Sequence, residues 1–247
     1  MNAAAVFVLA PALALGSFLN VVAARVPARR SLVRPPSSCG SCEQEILWRD
    51  NIPVLSYFLL RGRCRHCSAR ISPLYPAVEA STAALAVACV AVFGLTPLAG
   101  LAVGFFALLV TLSAIDAEHR IVPNRIVLPA ALVVLATRTL IDPSFEWALA
   151  AAGAAGFLVL AVLAYPKGLG MGDVKLPLVL GAMLGATVSV ALFVGFLAAL
   201  VTAAVLLSRH GSAARKMGVP LVPFLSLGAV IALFFGERLL DVYLTLF

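Results

Sequence analysis

Six side chains in this sequence have the type and setting to do chemistry: Asp116, Asp173, and the four cysteines Cys39, Cys42, Cys64 and Cys67. Asp116 ends the apolar run Thr111-Leu-Ser-Ala-Ile-Asp116, and Asp173 closes Gly170-Met-Gly-Asp173-Val-Lys175 at the mouth of another apolar run. Either aspartate by itself reads equally as a charged helix end, because Gly-rich turns ending in Asp are common helix entries. Two carboxylates converging on one water form a different device, since like charges at close range share a proton. One oxygen then takes a proton from water while the other donates to a carbonyl, which is acid-base hydrolysis of an amide without a covalent intermediate. Such a pair titrates as a unit, so neither residue is assigned as the acid or the base.

The glycines beside the second aspartate, Gly170 and Gly172, allow an extended backbone to approach it closely. Lys175 is either a modulator of the pair or an interfacial anchor. Glu79, at the start of an apolar run, either lines a polar cavity or caps a helix N-terminus, where negative charge is favoured.

The cysteines form two C-x-x-C pairs, Cys39-Gly-Ser-Cys42 and Cys64-Arg-His-Cys67, separated by 21 residues. Two thiolates on each tight turn supply four ligands to one tetrahedral ion with no open position, so the site reads as structural zinc. Two disulfides would need an oxidising compartment, and the nine arginines of the surrounding segment argue against export. Cys89 stands alone in an apolar run and reads as a small core residue. His66 reads as a surface residue.

The elements that must hold these groups are set by composition. Hydrophobic residues make up 62% of the 247-residue chain and charged residues 12%, against roughly 25% charged in an ordinary soluble domain. Several apolar runs reach the roughly 20 residues that cross a bilayer. The expected fold is an all-α polytopic membrane protein with about eight transmembrane helices. Residues 1–24 are the first span, 25–75 a small cytosolic zinc-binding domain, and 76–247 a seven-helix membrane domain carrying the aspartates. Spans are expected near 77–94, 98–116, 126–141, 147–165 and 221–240. The run 176–207 is too long for one comfortable helix, and Thr187-Val188-Ser189 is a plausible reversal within it.

The net charge of +7 reads as membrane orientation rather than as affinity for nucleic acid, which is not an expected partner. With the N-terminus outside and eight crossings, sixteen of the eighteen Lys and Arg residues fall on the cytosolic side, and only Arg138 and Arg238 lie near the outer face. A seven-span count would put Arg209, Arg215 and Lys216 outside, against the positive-inside rule. The same topology places Asp116 and Asp173 at one depth on the cytosolic face. Carboxylates near lipid are costly, so they face a cavity and have a use. No internal repeat is evident.

The chain resembles the type IV prepilin peptidases, bifunctional leader peptidases and N-methyltransferases of bacterial inner membranes. The resemblance rests on Gly16-Ser-Phe-Leu-Asn20 with Arg25 and Pro27, and on both cysteine pairs flanking the stretch from Trp48 to Tyr57 and Leu60-Arg-Gly-Arg-Cys64. It continues through Ile71 to Glu79, Ile115-Asp116 with Ile121-Val-Pro123, Gly170 to Leu176, and Val219 to Phe224. It implies that Asp116 and Asp173 are the catalytic pair of a GxGD aspartic protease. The implied substrates are prepilins or pseudopilins, with a basic leader cut off after a glycine on the cytosolic side. The new N-terminus would then be methylated from S-adenosylmethionine. Two stretches depart from the family pattern: Pro123-Asn124 stands where Pro-Asp is usual, and Pro220-Leu-Val-Pro223 where Pro-Phe-Gly-Pro is usual. No Gly-rich dinucleotide-type loop marks a pocket for the methyl donor.

The expected physical arrangement has the precursor's apolar helix lying in membrane lipid while its basic leader stays in water. Two other readings share some of the residues. A presenilin-like intramembrane protease has the same aspartate chemistry without the cysteine domain. A transporter or metal-binding scaffold would use the aspartates to line an ion path.

Overall fold

A computed structural model describes residues 3–164, 170, 172, 174–211 and 218–246. Among these, regular structure is helical, and the only β features are two isolated bridges. The chain divides into two compact units, residues 1–115 and 116–247.

In the first unit, α1 (Ala3–Arg25) leads into the cysteine segment, which holds one short helix, α2 (Leu55–Leu59). Then come α3 (Leu74–Phe93) and α4 (Pro97–His119), the latter running on into the second unit. Thr96 and Pro97 show how the sequence starts a helix. The Thr96 hydroxyl accepts the N–H of Ala99 at 3.2 Å, and proline in the first turn has no N–H to leave unsatisfied. Helices α1 and α3 pack antiparallel through small residues. A Cβ on Gly16 would stand 2.7 Å from the Cα of Glu79, and Ala12, Ala83 and Ala86 form a buried cluster beside it. Close backbone approach of this kind is how helices associate in lipid, where apolar side chains have no water to escape.

The second unit continues with α5 (Asn124–Ile141), α6 (Glu146–Ala164), α7 (Leu176–Leu184), α8 (Val188–His210) and α9 (Val222–Leu246). Seven stretches are long and apolar enough to cross a membrane when Leu176–His210 is taken as one. That stretch is broken, as its length foretells, but at Gly185 rather than at Thr187-Val188-Ser189, and into unequal parts. Gly185 adopts φ +58°, which ends α7 as left-handed glycines commonly do. Glu146 holds the break, its Oε1 accepting the N–H of Ala186 at 3.1 Å. Counting α7 separately gives eight membrane helices among the described residues.

Helix α7 is nine residues long, about 13.5 Å at 1.5 Å per residue, and antiparallel α6 has 19 residues. The end of α7 abuts the start of α6, with Gly181 against Ala150 and Gly185 against Glu146 and Trp147. The start of α7 therefore reaches only about half-way along α6. Helices α8 and α9 pair in the same manner, Gly236 against Thr187 and Gly195 against Leu225. The last fifteen or so residues of α8 thus extend beyond the first turn of α9. Leu160 and Leu163 on α6, and Leu200 and Val205 on α8, are exposed along these overhanging ends, as lipid-facing side chains are.

Candidate active site

The starts of α5, α7 and α9 and the end of α4 meet at one level of the second unit, around a cavity of about 420 Å³. Its wall includes Asp116, Arg120, Asn124, Gly170, Gly172 and Lys175, and the Gly218–Leu221 stretch closes it. The overhanging ends of α6 and α8 run past this level, so the cavity lies recessed from the ends of those helices. The same level holds the end of α4 and the start of α5, where the two membrane helices meet.

Asp116 is buried, 5% exposed. Its Oδ2 accepts the N–H of Val222 at 3.0 Å, the first residue of α9. The first N–H groups of a helix have no partner within it, so Asp116 serves as a capping acceptor from a distant element. The stretch from Pro220 to Pro223, singled out in the sequence only by resemblance, thereby gains a physical role: it delivers a helix N-terminus to this carboxylate.

The last turn of α4 closes with the N–H of Arg120 on the carbonyl of Asp116 at 2.9 Å. Arg120 then takes φ +55° and sends the chain toward Val122 and α5. Both glycines that touch this corner are there for space. A Cβ on Gly172 would lie 3.2 Å from the Val122 Cβ, and one on Gly218 would lie 3.0 Å from Nη1 of Arg120. Lys175 donates from Nζ to Oδ1 of Asn124 at 2.7 Å, tying the start of α7 to the start of α5.

Asp173 lies outside the described residues. Its neighbour Gly172 lines the cavity and Val174 is buried. Glu79 belongs to the first unit, where it caps no turn of its own helix. Its Oε2 accepts the N–H of Val54 at 2.6 Å, and its Oε1 lies 3.5 Å from the amide nitrogen of Asn20. That amide also donates to the carbonyl of Tyr75 at 3.1 Å. Sequence reasoning missed Arg120 as a wall residue and Asn20 as the partner of Glu79. The quoted stretch from Gly16 to Asn20 carried the second signal, yet spacing alone does not reveal which helix faces it.

The four cysteines come together in the first unit, their sulfurs all within 4.8 Å of one another. The two turns are copies in backbone geometry. The N–H groups of Cys39 and Cys64 donate to the carbonyls of Gln44 and Ala69, and those of Glu43 and Ser68 return to Cys39 and Cys64. Bridges Ser38 to Glu45 and Arg63 to Arg70 bracket the two turns. Cys39 Sγ and Cys67 Sγ stand 3.8 Å apart. A tetrahedral ion with zinc–sulfur bonds of about 2.3 Å requires about 3.8 Å between sulfurs, so the residues present fit zinc.

Backbone N–H groups of Ser41 and Cys42 hold the Cys39 thiol down to about 6. Cys67, despite the Ala69 N–H, is pushed up to about 11 by partial desolvation and by the other three sulfurs. Four thiolates this close cannot all carry charge without a cation among them. His66 contributes no ligand atom to the group, and Cys89 is fully buried in α3, both as expected.

Residues 11–93 match the model of the bacterial peptidase A24 N-terminal domain, and residues 102–207 match that of the type IV leader peptidase family. Among curated proteins, the prepilin leader peptidase/N-methyltransferase of Bacillus subtilis is 36% identical over 94% of this chain and 94% of its own length. Proteins of the same name from Burkholderia pseudomallei and Pseudomonas aeruginosa are 34% and 32% identical over 93% and 94% of this chain, and over 85% and 90% of theirs. No solved structure matches. A relative at 36% identity over 94% of both chains, together with the two family models, shows that the chain belongs to the type IV leader peptidase family.

Proposed function

We propose that this protein is a membrane aspartic endopeptidase that removes the basic leader from type IV prepilins or pseudopilins and then N-methylates the new N-terminus. The observation that carries the reading is the buried Asp116 carboxylate on a cavity wall shared with Gly170, Gly172 and Lys175, the residues flanking Asp173. Asp116 and Asp173 are the catalytic pair in this reading. One carboxylate takes a proton from the attacking water while the other, protonated, donates to the scissile carbonyl oxygen. Collapse of the tetrahedral intermediate returns a proton to the leaving amine. Gly170 and Gly172 leave room for the substrate backbone, and Lys175, held by Asn124, sets where the turn begins.

The recessed cavity suits a substrate whose cleavage site adjoins an apolar helix, because burial of that helix in the bilayer brings the adjoining peptide bond to a fixed depth. Basic residues of the leader remain toward the cytosol. The topology has the N-terminus outside, in the bacterial inner membrane, with residues 25–75 as a cytosolic domain folded around structural zinc. S-adenosylmethionine supplies the methyl group; the residues that hold it are not assigned.

The test is incubation of the purified protein with a prepilin-like peptide, with and without S-adenosylmethionine, followed by product masses. Release of the leader is expected in both cases, with a gain of one methyl group on the mature peptide only when the donor is present. Asp116→Asn and Asp173→Asn should each stop cleavage while expression is retained. Turnover surviving in either variant removes that aspartate from the mechanism.

A further inference from the structure

Helix α2 is five residues long and apolar, yet it contributes little to the protein interior. Leu55, Phe58 and Leu59 are 52%, 67% and 70% exposed, and their i, i+3, i+4 spacing puts them on one face. Ser56 is the buried residue of this helix. Its hydroxyl donates to the Arg49 carbonyl at 3.1 Å and accepts the Ile52 N–H at 3.0 Å. A polar side chain thus anchors the inner side of the helix while three large apolar ones point away from the protein.

Where this face sits is fixed by Glu79, which lies five residues inside α3 and so about 7.5 Å from its end. The carboxylate takes the Val54 N–H at 2.6 Å, pinning the start of α2 to the side of the α1–α3 pair rather than beyond it. Val54 itself has φ +62°, a costly conformation for a β-branched residue that persists only when its surroundings impose it. At the other end, Arg61 and Gly62, with φ +52° and +66°, turn the chain back out toward the second cysteine pair. The segment therefore runs to a point pinned beside α3 and turns back, leaving Leu55, Phe58 and Leu59 exposed along the helix between.

We infer that α2 is a membrane-inserted foot, its Leu55-Phe58-Leu59 face seated among the acyl chains of the adjoining leaflet and its flanking arginines on lipid phosphates. The depth matches the 5–10 Å at which amphipathic helices ride in the boundary between head groups and acyl chains. The charge is complementary: residues 25–75 hold nine arginines against Glu43, Glu45 and Asp50. Asp50 is engaged by Arg65 at 2.6 Å. Arg61 and Arg63 form no salt bridge with a carboxylate among the described residues. Through Glu79, the foot would couple the cysteine domain to the membrane surface. This inference needs only that α1 and α3 cross a bilayer, so it stands or falls independently of the peptidase reading.

The chain has two tryptophans, Trp48 and Trp147, which permits a direct test on the full-length protein in lipid nanodiscs. In a Trp48→Phe background, Phe58→Trp and, separately, Leu59→Trp are introduced, and the Trp48→Phe spectrum is subtracted. The expected signal from each is blue-shifted, insensitive to iodide, and quenched by phospholipids brominated near the head-group end of the acyl chain. Mixing phosphatidylglycerol into phosphatidylcholine should deepen that quenching. Water-like emission quenched by iodide at both positions overturns the proposal. Lipid quenching that disappears when a prepilin-like helix is added assigns the face to substrate and also overturns it. Quenching by neighbouring protein rather than lipid, seen only with two copies per disc, gives the face to self-association with the same consequence.

Discussion

Asp116 combines two tasks that substitution can separate. Asparagine keeps an oxygen that accepts the Val222 N–H, whereas alanine leaves that buried donor without a partner. Asp116→Ala should therefore lower stability by about 1–3 kcal/mol, and Asp116→Asn should leave the unfolding midpoint near that of the parent. Thermal unfolding in detergent, followed by helical circular dichroism, checks both. Equal destabilisation by the two variants would show that the Val222 contact does not matter. Asn124 offers a second test at this scale. It accepts from Lys175 at 2.7 Å in the place where the family pattern resembled by this chain has aspartate. Asn124→Asp converts the contact into an exposed ion pair worth about 0–1 kcal/mol, a gain that added salt should erase.

Helices in this protein approach one another through glycine, and the element-scale consequences follow from what a Cβ would strike. On α9, Gly228 faces the Ala191 carbonyl, and a Cβ on Gly195 of α8 would stand 2.8 Å from the Leu225 side chain. Gly228→Leu should push α8 and α9 apart at a cost of about 1–3 kcal/mol or more. Because α9 begins at the Asp116 carboxylate, leader cleavage should fall along with stability. Gly185 carries a different burden, since its φ of +58° is compounded by Glu146 and Trp147 crowding the Cβ position. Gly185→Ala should cost about 1–3 kcal/mol, seen as a lowered unfolding midpoint. An unchanged midpoint in both variants would mean these close approaches relax freely.

For the whole molecule, the four-cysteine knot and the membrane helices should respond differently to loss of metal. Between α1 and α3, residues 26–73 contain only a 3-10 turn and the five-residue α2 as helix, so bound metal would supply much of their folding free energy. Purified protein should carry one zinc per chain, and Cys39→Ser with Cys42→Ser should release it. Trypsin should then cut at arginines between 29 and 70 while most of the helical dichroism, which comes from the spans, persists. Absence of any bound ion in the parent protein would end the zinc assignment.

The sequence by itself determined which stretches form the membrane helices and nearly their limits, because hydrocarbon admits a backbone only when its polar groups bond within the segment, which makes apolar length almost sufficient evidence; whether 176–210 crosses once or twice it did not determine. It also picked out the four cysteines whose sulfurs gather within 4.8 Å of one another, since C-x-x-C geometry is local to each turn. The resemblance to the type IV prepilin peptidases, carried by motifs along the chain, agreed with the relatives across nearly its whole length. Tertiary structure alone decided how far the cavity lies from the ends of α6 and α8. That depends on α7 being half the length of its neighbour and on where Gly185 and Gly195 meet their partners, facts about packing that no periodicity records. Tertiary structure also decided that Glu79 serves Val54 and Asn20, and that α9 starts at Asp116. Each of these contacts joins residues 25 to 106 positions apart, and a sequence shows which groups need partners without showing which ones the fold brings within reach.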